Sequence, residues 1–454
     1  MVPLVLGVDS SSDATAVELR DSDDGRVFGE GRAVHSGDGR GTEQDPSSWW
    51  QALVEARHDA GGALGVAAVA AVAENSGLVV LDADGKLVRP ARLHHDPEAV
   101  SDARRLEELL GRFEWVAACG SVPHSGLPIA KLAWLRRTDP DAFARVAWVL
   151  QPHDWLTFRL SQRVVTDRGD ASRTGYWSPR DEAWRPDLLA LVDEARDWEA
   201  SLPTVLGPGE PAGDREGVMI APGTGEPMAI ALGLGLVPGD AVIDTNGCVF
   251  GMRERPTEDA SGVVAGFADA TGRYLPLVES IDTTATTDGF SSVLGIDRTR
   301  FDQLVQSAPP GARGLTFVPA SGDAAGSLHG IRGDVMPDEV ARAAVEGVVC
   351  SLLDAIDALR SADVPVGGRL FLVGSGMRSH ALRQVLADLA ERPVGVPRGD
   401  RGVAGACVQA AAALYGRPPE EIAAAWNLHD VRVVDPNPRV DGEEIRAMWR
   451  AAPR

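Results

Sequence analysis

Cysteine is scarce in this chain of 454 residues: Cys119, Cys248, Cys350 and Cys407 are the only four, and they lie far apart. No CxxC pair and no Cys/His spacing of the zinc-binding kind occurs, which argues against a disulfide scaffold and a structural metal. Free, buried thiols in a reducing compartment are expected. Long apolar runs are missing too. The alanine-rich stretch from Ala63 to Val72 is too short and too interrupted to span a bilayer. No Lys/Arg-rich run stands out, and 44 basic against 66 acidic residues leave a net charge of −22. Nucleic acid is therefore not an expected partner. The start, Met1-Val2-Pro3-Leu4-Val5-Leu6-Gly7-Val8-Asp9, lacks a basic leader and a long apolar core, so it does not read as a signal peptide. These absences predict a cytoplasmic protein that engages neither membrane nor nucleic acid.

What is present is ordinary for a globular chain: 44% hydrophobic and 24% charged residues, in a length that suits two or three domains. The most informative stretch is Val218 to Glu254. Ala221-Pro222-Gly223-Thr224-Gly225 makes a tight entry, and Glu226-Pro227 opens a helix carried by Met228 to Leu236. Pro238-Gly239-Asp240 ends it. Ala241-Val242-Ile243 reads as a buried strand, Asp244-Thr245-Asn246-Gly247 as a hairpin turn and Cys248-Val249-Phe250 as the return strand. A carboxylate at a helix start beside a hairpin rich in backbone donors suits phosphoryl transfer: the hairpin holds phosphate and the carboxylate takes a hydroxyl proton. A similar unit opens the chain. The strand Leu4–Val8 leads into the polar turn Asp9-Ser10-Ser11-Ser12-Asp13-Ala14-Thr15 and a second strand from Ala16 to Asp21.

With these two units the chain resembles the FGGY carbohydrate kinases, in particular their xylulokinase branch. The family usually has Gly-Asp-Asn where this chain has Gly225-Glu226-Pro227, and Leu-Gly-Thr-Ser-Gly where it has Ile243-Asp244-Thr245-Asn246-Gly247. The resemblance places the catalytic base on Glu226. It assigns Asp9, Ser10, Ser11, Ser12, Asp244, Thr245, Asn246 and Gly247 to phosphate and Mg2+, with no direct protein ligand to the metal. Gly374-Ser375-Gly376-Met377 stands where the family has its adenosine loop, Gly-Gly-Gly-Ala, and is expected to bind the nucleotide. Asn75 and Ser76 occupy the positions of a sugar-contacting Met-His pair, and His94 and Asp96 those of a Trp and an Asp, so these four are expected to bind substrate. His94 and His95 are adjacent but have no third ligand nearby, which favours hydrogen-bonded histidines over a metal site.

Further matches cover nearly the whole chain. They include the Trp49-Trp50 helix, with Asp45 as its cap, and the helix Lys131-Leu132-Ala133-Trp134-Leu135. Asp154 reads as structural at a helix start, and Asp170 and Ser172 fall in a Gly/Ser-rich loop. Arg32 to Gly41 reads as a polar loop, and Glu279, Asp282 and Asp288 as a solvated loop or helix start. Gly326 to Ile331 followed by Glu339 to Glu346 is the most specific match. It feeds an amphipathic helix with Val345, Val349, Leu352, Leu353 and Ile356 on one face.

The resemblance implies an α/β fold of two actin/hexokinase-like, ribonuclease H-like domains flanking a deep cleft. Residues 1–222 form the sugar-side domain, and residues 223–454 the ATP-side domain, whose last helix packs back on the first. The implied activity is transfer of the ATP γ-phosphate to a hydroxyl of a ketose or related polyol, with ATP and Mg2+ as cofactors; monomer and homodimer both stay open. The second reading is a catalytically degenerate member that senses a sugar or nucleotide. Glu226 in place of Asp and Ala16 in place of the family's early Lys favour it; Asp9, Thr245, Gly247 and the glycine loop favour the kinase.

Overall fold

A computed structural model describes residues 2–36, 41–62, 65–94, 96–320, 325–428 and 431–453. The chain divides into two compact units. One comprises Met1–Leu236, Glu254–Leu275 and Gly399–His429; the other comprises Val237–Arg253, Pro276–Arg398 and Asp430–Arg454. Each is a mixed α/β unit with its own sheet, as the sequence leads one to expect.

The first sheet grows from short apolar runs. β1 (Leu4–Ser10) is buried at every position. It pairs antiparallel with β2 (Ala14–Asp21), which pairs antiparallel with β3 (Val27–Val34). On its other side β1 runs parallel to β4 (Ala68–Ala73), also buried throughout. Apolar residues on both faces are what a covered strand requires. The order β5 (Gly213–Arg215), β6 (Val218–Ile220), β4, β1, β2, β3 completes the path, and the short β7 (Thr224–Gly225) also lies parallel to β4. The Trp pair packs as expected. Trp49 is buried beneath this sheet, edge-on to Trp155 at 5.9 Å, and Trp50 lies against the same core.

The second sheet runs β10 (Tyr274–Glu279), β9 (Cys248–Gly251), β8 (Ala241–Asp244), β11 (Leu370–Val373), β12 (Val394–Val396), β13 (Arg432–Val434). The expected hairpin is its centre: β8 and β9 pair from Ala241↔Gly251 to Asp244↔Cys248. The helix Pro337–Ser361 buries Val345, Val349, Leu352, Leu353 and Ile356, the face its periodicity indicates.

Three local expectations are corrected. Asp9 and Ser10 are not in a turn but in β1, paired with Ala16 and Thr15; only residues 11–13 turn. Asp170 and Ser172 lie in a short buried helix, Arg168–Ser172, capped by Asp167, because that carboxylate accepts the amides of Gly169 and Asp170. Arg32 does not open a loop; it belongs to β3. Gly29 and Gly31 of that strand must lack a side chain: a Cβ there would stand 2.0 and 1.9 Å from the carbonyl oxygens of Ala60 and Ala56 at the covering helix. The polar run near Asp282 is a helix start, with Asp282 capping Thr283–Leu294. The four cysteines are free. Among the described residues no helix is long and apolar enough to cross a membrane.

Two helices of the first unit meet backbone to backbone. Glu226–Leu234 follows β7, and Arg401–Tyr415 lies against it. A Cβ on Gly405 would stand 1.9 Å from the Ala229 carbonyl oxygen, and one on Gly233 would stand 2.0 Å from that of Arg401. Neither carbonyl can yield without disturbing its own helix, so overpacking here cannot be relieved by a rotamer change. Gly405→Ala is expected to cost about 2–4 kcal/mol, against the roughly 1 kcal/mol that Gly→Ala normally gains in a helix interior. Urea unfolding of the two proteins checks this; an unchanged or raised midpoint contradicts it.

Candidate active site

Strand register gathers the candidate residues of the first unit. Asp9 pairs with Val72 and Ser10 with Ala73; on the far side of β4, Val72 pairs with Thr224 and Ala73 with Gly225. Three parallel strands therefore end side by side. Beyond β1 comes the serine turn, beyond β4 the segment Glu74-Asn75-Ser76, and beyond β7 Glu226, the first residue of its helix. Ser10 and Gly225 are two strand spacings apart, about 10 Å. The carboxyl ends of parallel strands are where open α/β sheets bind ligands.

Asp9 is 5% exposed, and its Oδ1 is buried without a hydrogen-bond partner. Burial pushes its carboxyl well above the usual carboxylate range; Asp400 pushes the same way and Arg32 opposes. Gly402 lets the helix backbone approach: a Cβ there would lie 2.1 Å from Asp9 Oδ2. Asp400 caps that helix by accepting the amides of Gly402 and Val403. The serines are less open than the sequence suggests. Ser10 Oγ lies 3.0 Å from Thr15 Oγ1 and 3.3 Å from His35 Nε2, both buried contacts. Ser11 Oγ donates to the Ala14 carbonyl, and the Ser12 carbonyl accepts from Gln44.

The segment after β4 is rigidly framed. Ser76 is fully buried with a φ of +58°, a left-handed conformation that a non-glycine residue adopts only when held there. Three partners hold it: Gln151 Oε1 accepts its amide at 3.1 Å, Lys131 donates to its carbonyl at 2.5 Å, and Arg173 Nε donates to its hydroxyl at 3.2 Å. Lys131, fully buried, also donates to the Gly126 carbonyl at 2.7 Å. Burial lowers its ammonium to about 7; Glu74 and Asp96 oppose the shift, and Arg92 and Arg173 add to it. Asn75 is half-buried and faces Gly225, with its Cβ 3.4 Å from where a Cβ would stand on that glycine. The amide of His94 donates to Glu74 Oε1 at 3.0 Å, and its ring meets His124 edge-on at 6.2 Å. His95 lies outside the described residues. Asp96 is committed elsewhere: its Oδ1 caps the amide of Glu98 and its Oδ2 accepts from Arg92, which stacks on Trp134 at 3.9 Å.

Against Gly225 lies a buried ion cluster. His153 Nδ1 stands 2.6 Å from Asp170 Oδ2, and its Nε2 stands 3.0 Å from Asp154 Oδ1. Burial alone would lower the imidazole, but the two carboxylates outweigh it and hold the ring well above its ordinary value. Asp170 in turn abuts Gly225, where a Cβ would lie 2.6 Å from its Oδ1. Asp167, raised to about 6 chiefly by burial, accepts the Thr224 hydroxyl at 2.8 Å. The residues on both sides of the Thr224-Gly225 step are thus fixed before Glu226 begins its helix. Asp154 has the structural place its sequence position suggests: it accepts the Gln151 amide in a capping box.

In the second unit the predicted hairpin and glycine loop meet. Thr245, fully buried, donates to the Val373 carbonyl at 3.0 Å and accepts the Gly376 amide at 2.9 Å. Asn246 Oδ1 accepts from the amide and the hydroxyl of Ser375, at 3.3 and 3.1 Å. Gly374 has a φ of +82°, and a Cβ there would lie 2.4 Å from Asp244 Oδ1 and 2.5 Å from Thr245 Oγ1. Asn246 and Ser375 are exposed, while Gly247, Gly376 and Met377 are half-buried.

Comparison with known proteins decides the family. The model of the FGGY family of carbohydrate kinases, N-terminal domain, matches residues 5–233, and the model of its C-terminal domain matches residues 301–414. The chain belongs to the FGGY family of carbohydrate kinases. It is 40% identical to the xylulose kinase of Streptomyces coelicolor, over 95% of this chain and 92% of that one. It is 39% identical to the xylulose kinase of Streptomyces rubiginosus, over 93% and 91%. The crystal structure of the xylulose kinase from Bifidobacterium adolescentis superposes with a TM-score of 0.85 at 32% identity, covering 99% of both chains. This FGGY chain is thus a xylulose-kinase-like, ATP-dependent carbohydrate kinase built of two actin-like α/β domains.

Lys131 stands in the sequence as one residue of a helix, although it is one of just two lysines in the chain, Lys86 being the other. Arg173 and the Gln151 side chain meet Ser76, and Gly402 meets Asp9, all distant in sequence, so nothing local assigns their places. Lys131 supplies a test. Below about pH 7 the folded and unfolded chains both keep its proton. Between about 7 and 10.5 only the unfolded chain does, so its contribution to stability rises with pH across that window. Lys131→Met is expected to remove this rise, worth at most ~1.4 kcal/mol per pH unit. Urea unfolding of both proteins at about pH 6 and about pH 9 reads it; equal pH slopes count against a neutralised Lys131.

Proposed function

We propose that this kinase transfers the γ-phosphate of ATP to a hydroxyl of a ketose of the xylulose class, with Glu226 as the base. The observation that carries the reading is the row of strand ends: the phosphate-side turn after Asp9, the sugar-side segment at Asn75 and the acidic residue Glu226 come from three adjacent strands. The xylulose kinases named above support the choice of sugar class.

Asn75 and His94 are the side chains we assign to the sugar. Ser76 and Asp96 support them from behind, since their polar groups are occupied by Gln151, Lys131, Arg173 and Arg92. Glu226 accepts the proton of the attacking hydroxyl as the oxygen moves in line on the phosphorus. A carboxylate suits this role because phosphoryl transfer asks the protein mainly for position and charge. The side chain is one methylene longer than the family's Asp. The fixed Thr224-Gly225 step sets where its backbone starts, so the extra reach lies wholly within the side chain.

Mg2+ fits the residues on β1. The buried Oδ1 of Asp9 lacks a hydrogen-bond partner, and Asp400 adds a second carboxylate, a pair that favours a cation. Asp9, through water, and Asp400 would hold it, and the ion would neutralise phosphate charge. On the second unit, Asp244 to Gly247 and Gly374 to Met377 form one knitted surface, which we assign to the nucleotide. We assign the sugar to the first unit. The free cysteines fit a reducing, cytoplasmic setting.

The test is ADP release with MgATP over a panel of ketoses and polyols, for the native chain, Glu226→Asp and Glu226→Gln. One ketose is expected to turn over on the native chain. Glu226→Gln should lower kcat by about a hundredfold or more, and Glu226→Asp should stay within about a hundredfold of native. A native chain that binds sugar and ATP but turns over none of the panel overturns the kinase reading in favour of a sensor. An unchanged rate in Glu226→Gln moves the base elsewhere.

A further inference from the structure

The turn after β1 is gripped by its carbonyls. The His35 amide, just past β3, donates to the Asp13 carbonyl at 2.9 Å, and Gln44 Nε2 donates to the Ser12 carbonyl at 3.2 Å. The backbone of Gln44 is itself fixed, paired antiparallel with Ala91. Among the described residues, the amides of Ser12 and Asp13 bond to no protein acceptor. A turn with its carbonyls tied down and its amides open is suited to an anion.

The groups that do the gripping are ordered by a buried chain of hydrogen bonds, and its direction is set at the far end. The Trp49 indole N–H can only donate, and Gln44 Oε1 accepts it at 2.5 Å. The Gln44 amino group is therefore the side that faces the Ser12 carbonyl and, at 3.3 Å, His35 Nδ1. An amide amino group donates, so Nδ1 carries no proton. Burial holds the imidazole below its ordinary value; the Ser12 carbonyl and Asp13 oppose this, and Arg32 adds to it. The ring is thus neutral, with its proton on Nε2. That proton goes to Thr15 Oγ1 at 2.9 Å, with Ser10 Oγ at 3.3 Å beside it. The opposite tautomer would set Nδ1–H against the Gln44 amino group, donor to donor. Trp49, Gln44, His35, Thr15 and Ser10 are all buried, so none of these groups has water as a substitute partner.

We propose that His35 and Gln44 are positioning residues for phosphoryl transfer, which hold the turn of Ser11, Ser12 and Asp13 with its amides open to the phosphates of ATP. The inference rests on the assignment of that turn to phosphate. Neither side chain touches the nucleotide: Gln44 acts through the Ser12 carbonyl, and the His35 ring acts through Gln44 on one side and through Thr15 and Ser10 on the other. Trp49 acts one step further back. Without its N–H, the Gln44 amide loses what fixes its orientation.

Calorimetric titration of the whole protein with the Mg2+ complex of β,γ-imido ATP, and separately with adenosine, tests it on native, Gln44→Leu, His35→Leu, Trp49→Phe and the double variant Q44L/W49F. Gln44→Leu and His35→Leu should each weaken the triphosphate at least about tenfold and leave adenosine within about twofold. Trp49→Phe should fall between native and Gln44→Leu. Because Trp49 acts through Gln44, the double variant should bind no more weakly than Gln44→Leu. Unchanged triphosphate binding, an equal loss for adenosine, or losses that add in the double variant overturn the proposal. With a sugar that the native chain turns over, kcat/KM for MgATP should fall in step while the KM for sugar holds; a shift confined to the sugar KM overturns it. Nitrogen NMR of labelled imidazoles gives a reading on the native chain, with His35→Leu identifying the signal. A proton on Nε2 and a bare Nδ1 are expected, and a proton on Nδ1 overturns the proposal. A native chain that binds the triphosphate but turns over no sugar removes the kinase reading and leaves the binding test to decide this one; a native chain that binds neither ligand overturns both.

Discussion

The first unit depends on how closely backbones approach at a few glycines. The helix Arg401–Tyr415 touches β1 at Gly7, where a Cβ would stand 2.4 Å from the Val403 carbonyl, and the Glu226 helix at Gly405 and Gly233. The same helix begins beneath Asp9 at Gly402. One helix from late in the chain thus fixes two earlier elements, the strand that carries Asp9 and the helix that carries Glu226. Such contacts have no side chain to adjust, so they set position more stiffly than an interlocked apolar core. That stiffness is what a phosphoryl-transfer site needs, because positioning supplies much of the rate.

Around this frame the buried polar groups share one task. Lys131, Gln151 and Arg173 hold Ser76 in its left-handed backbone; His153 sits between Asp154 and Asp170; Asp167 holds Thr224. Each connection ties a residue beside the strand ends to another buried polar group. Taking such groups from water is costly unless they are bonded to each other, and here they are. The stability they sacrifice is exchanged for a fixed approach to the sheet's carboxyl edge.

Much of this was legible in the sequence, for physical reasons. Apolar runs bounded by polar turns located β1 and β8, and the periodicity of residues 345–356 located the buried face of the long helix. Asp244–Gly247 and Gly374–Met377 were each legible as motifs, but that the two segments bond to one another is seen only in the structure. What stayed hidden depended on distant partners. The need for glycine at 29 and 31 is invisible until the helix that crowds them is known. Asp96 looks like a ligand-binding carboxylate until Arg92 is seen to occupy it. Asp170 looks like a loop residue until the Asp167 cap winds that segment into a helix.

Asn246 and Ser375 show what such contacts imply for tolerance to change. Asn246 Oδ1 accepts from the amide and the hydroxyl of Ser375, and Ser375 Oγ lies 2.7 Å from Thr284 Oγ1. Replacing either side chain alone takes a partner from the other. The hairpin and the loop are therefore constrained as a pair, and a change in one is best tolerated when the other changes with it.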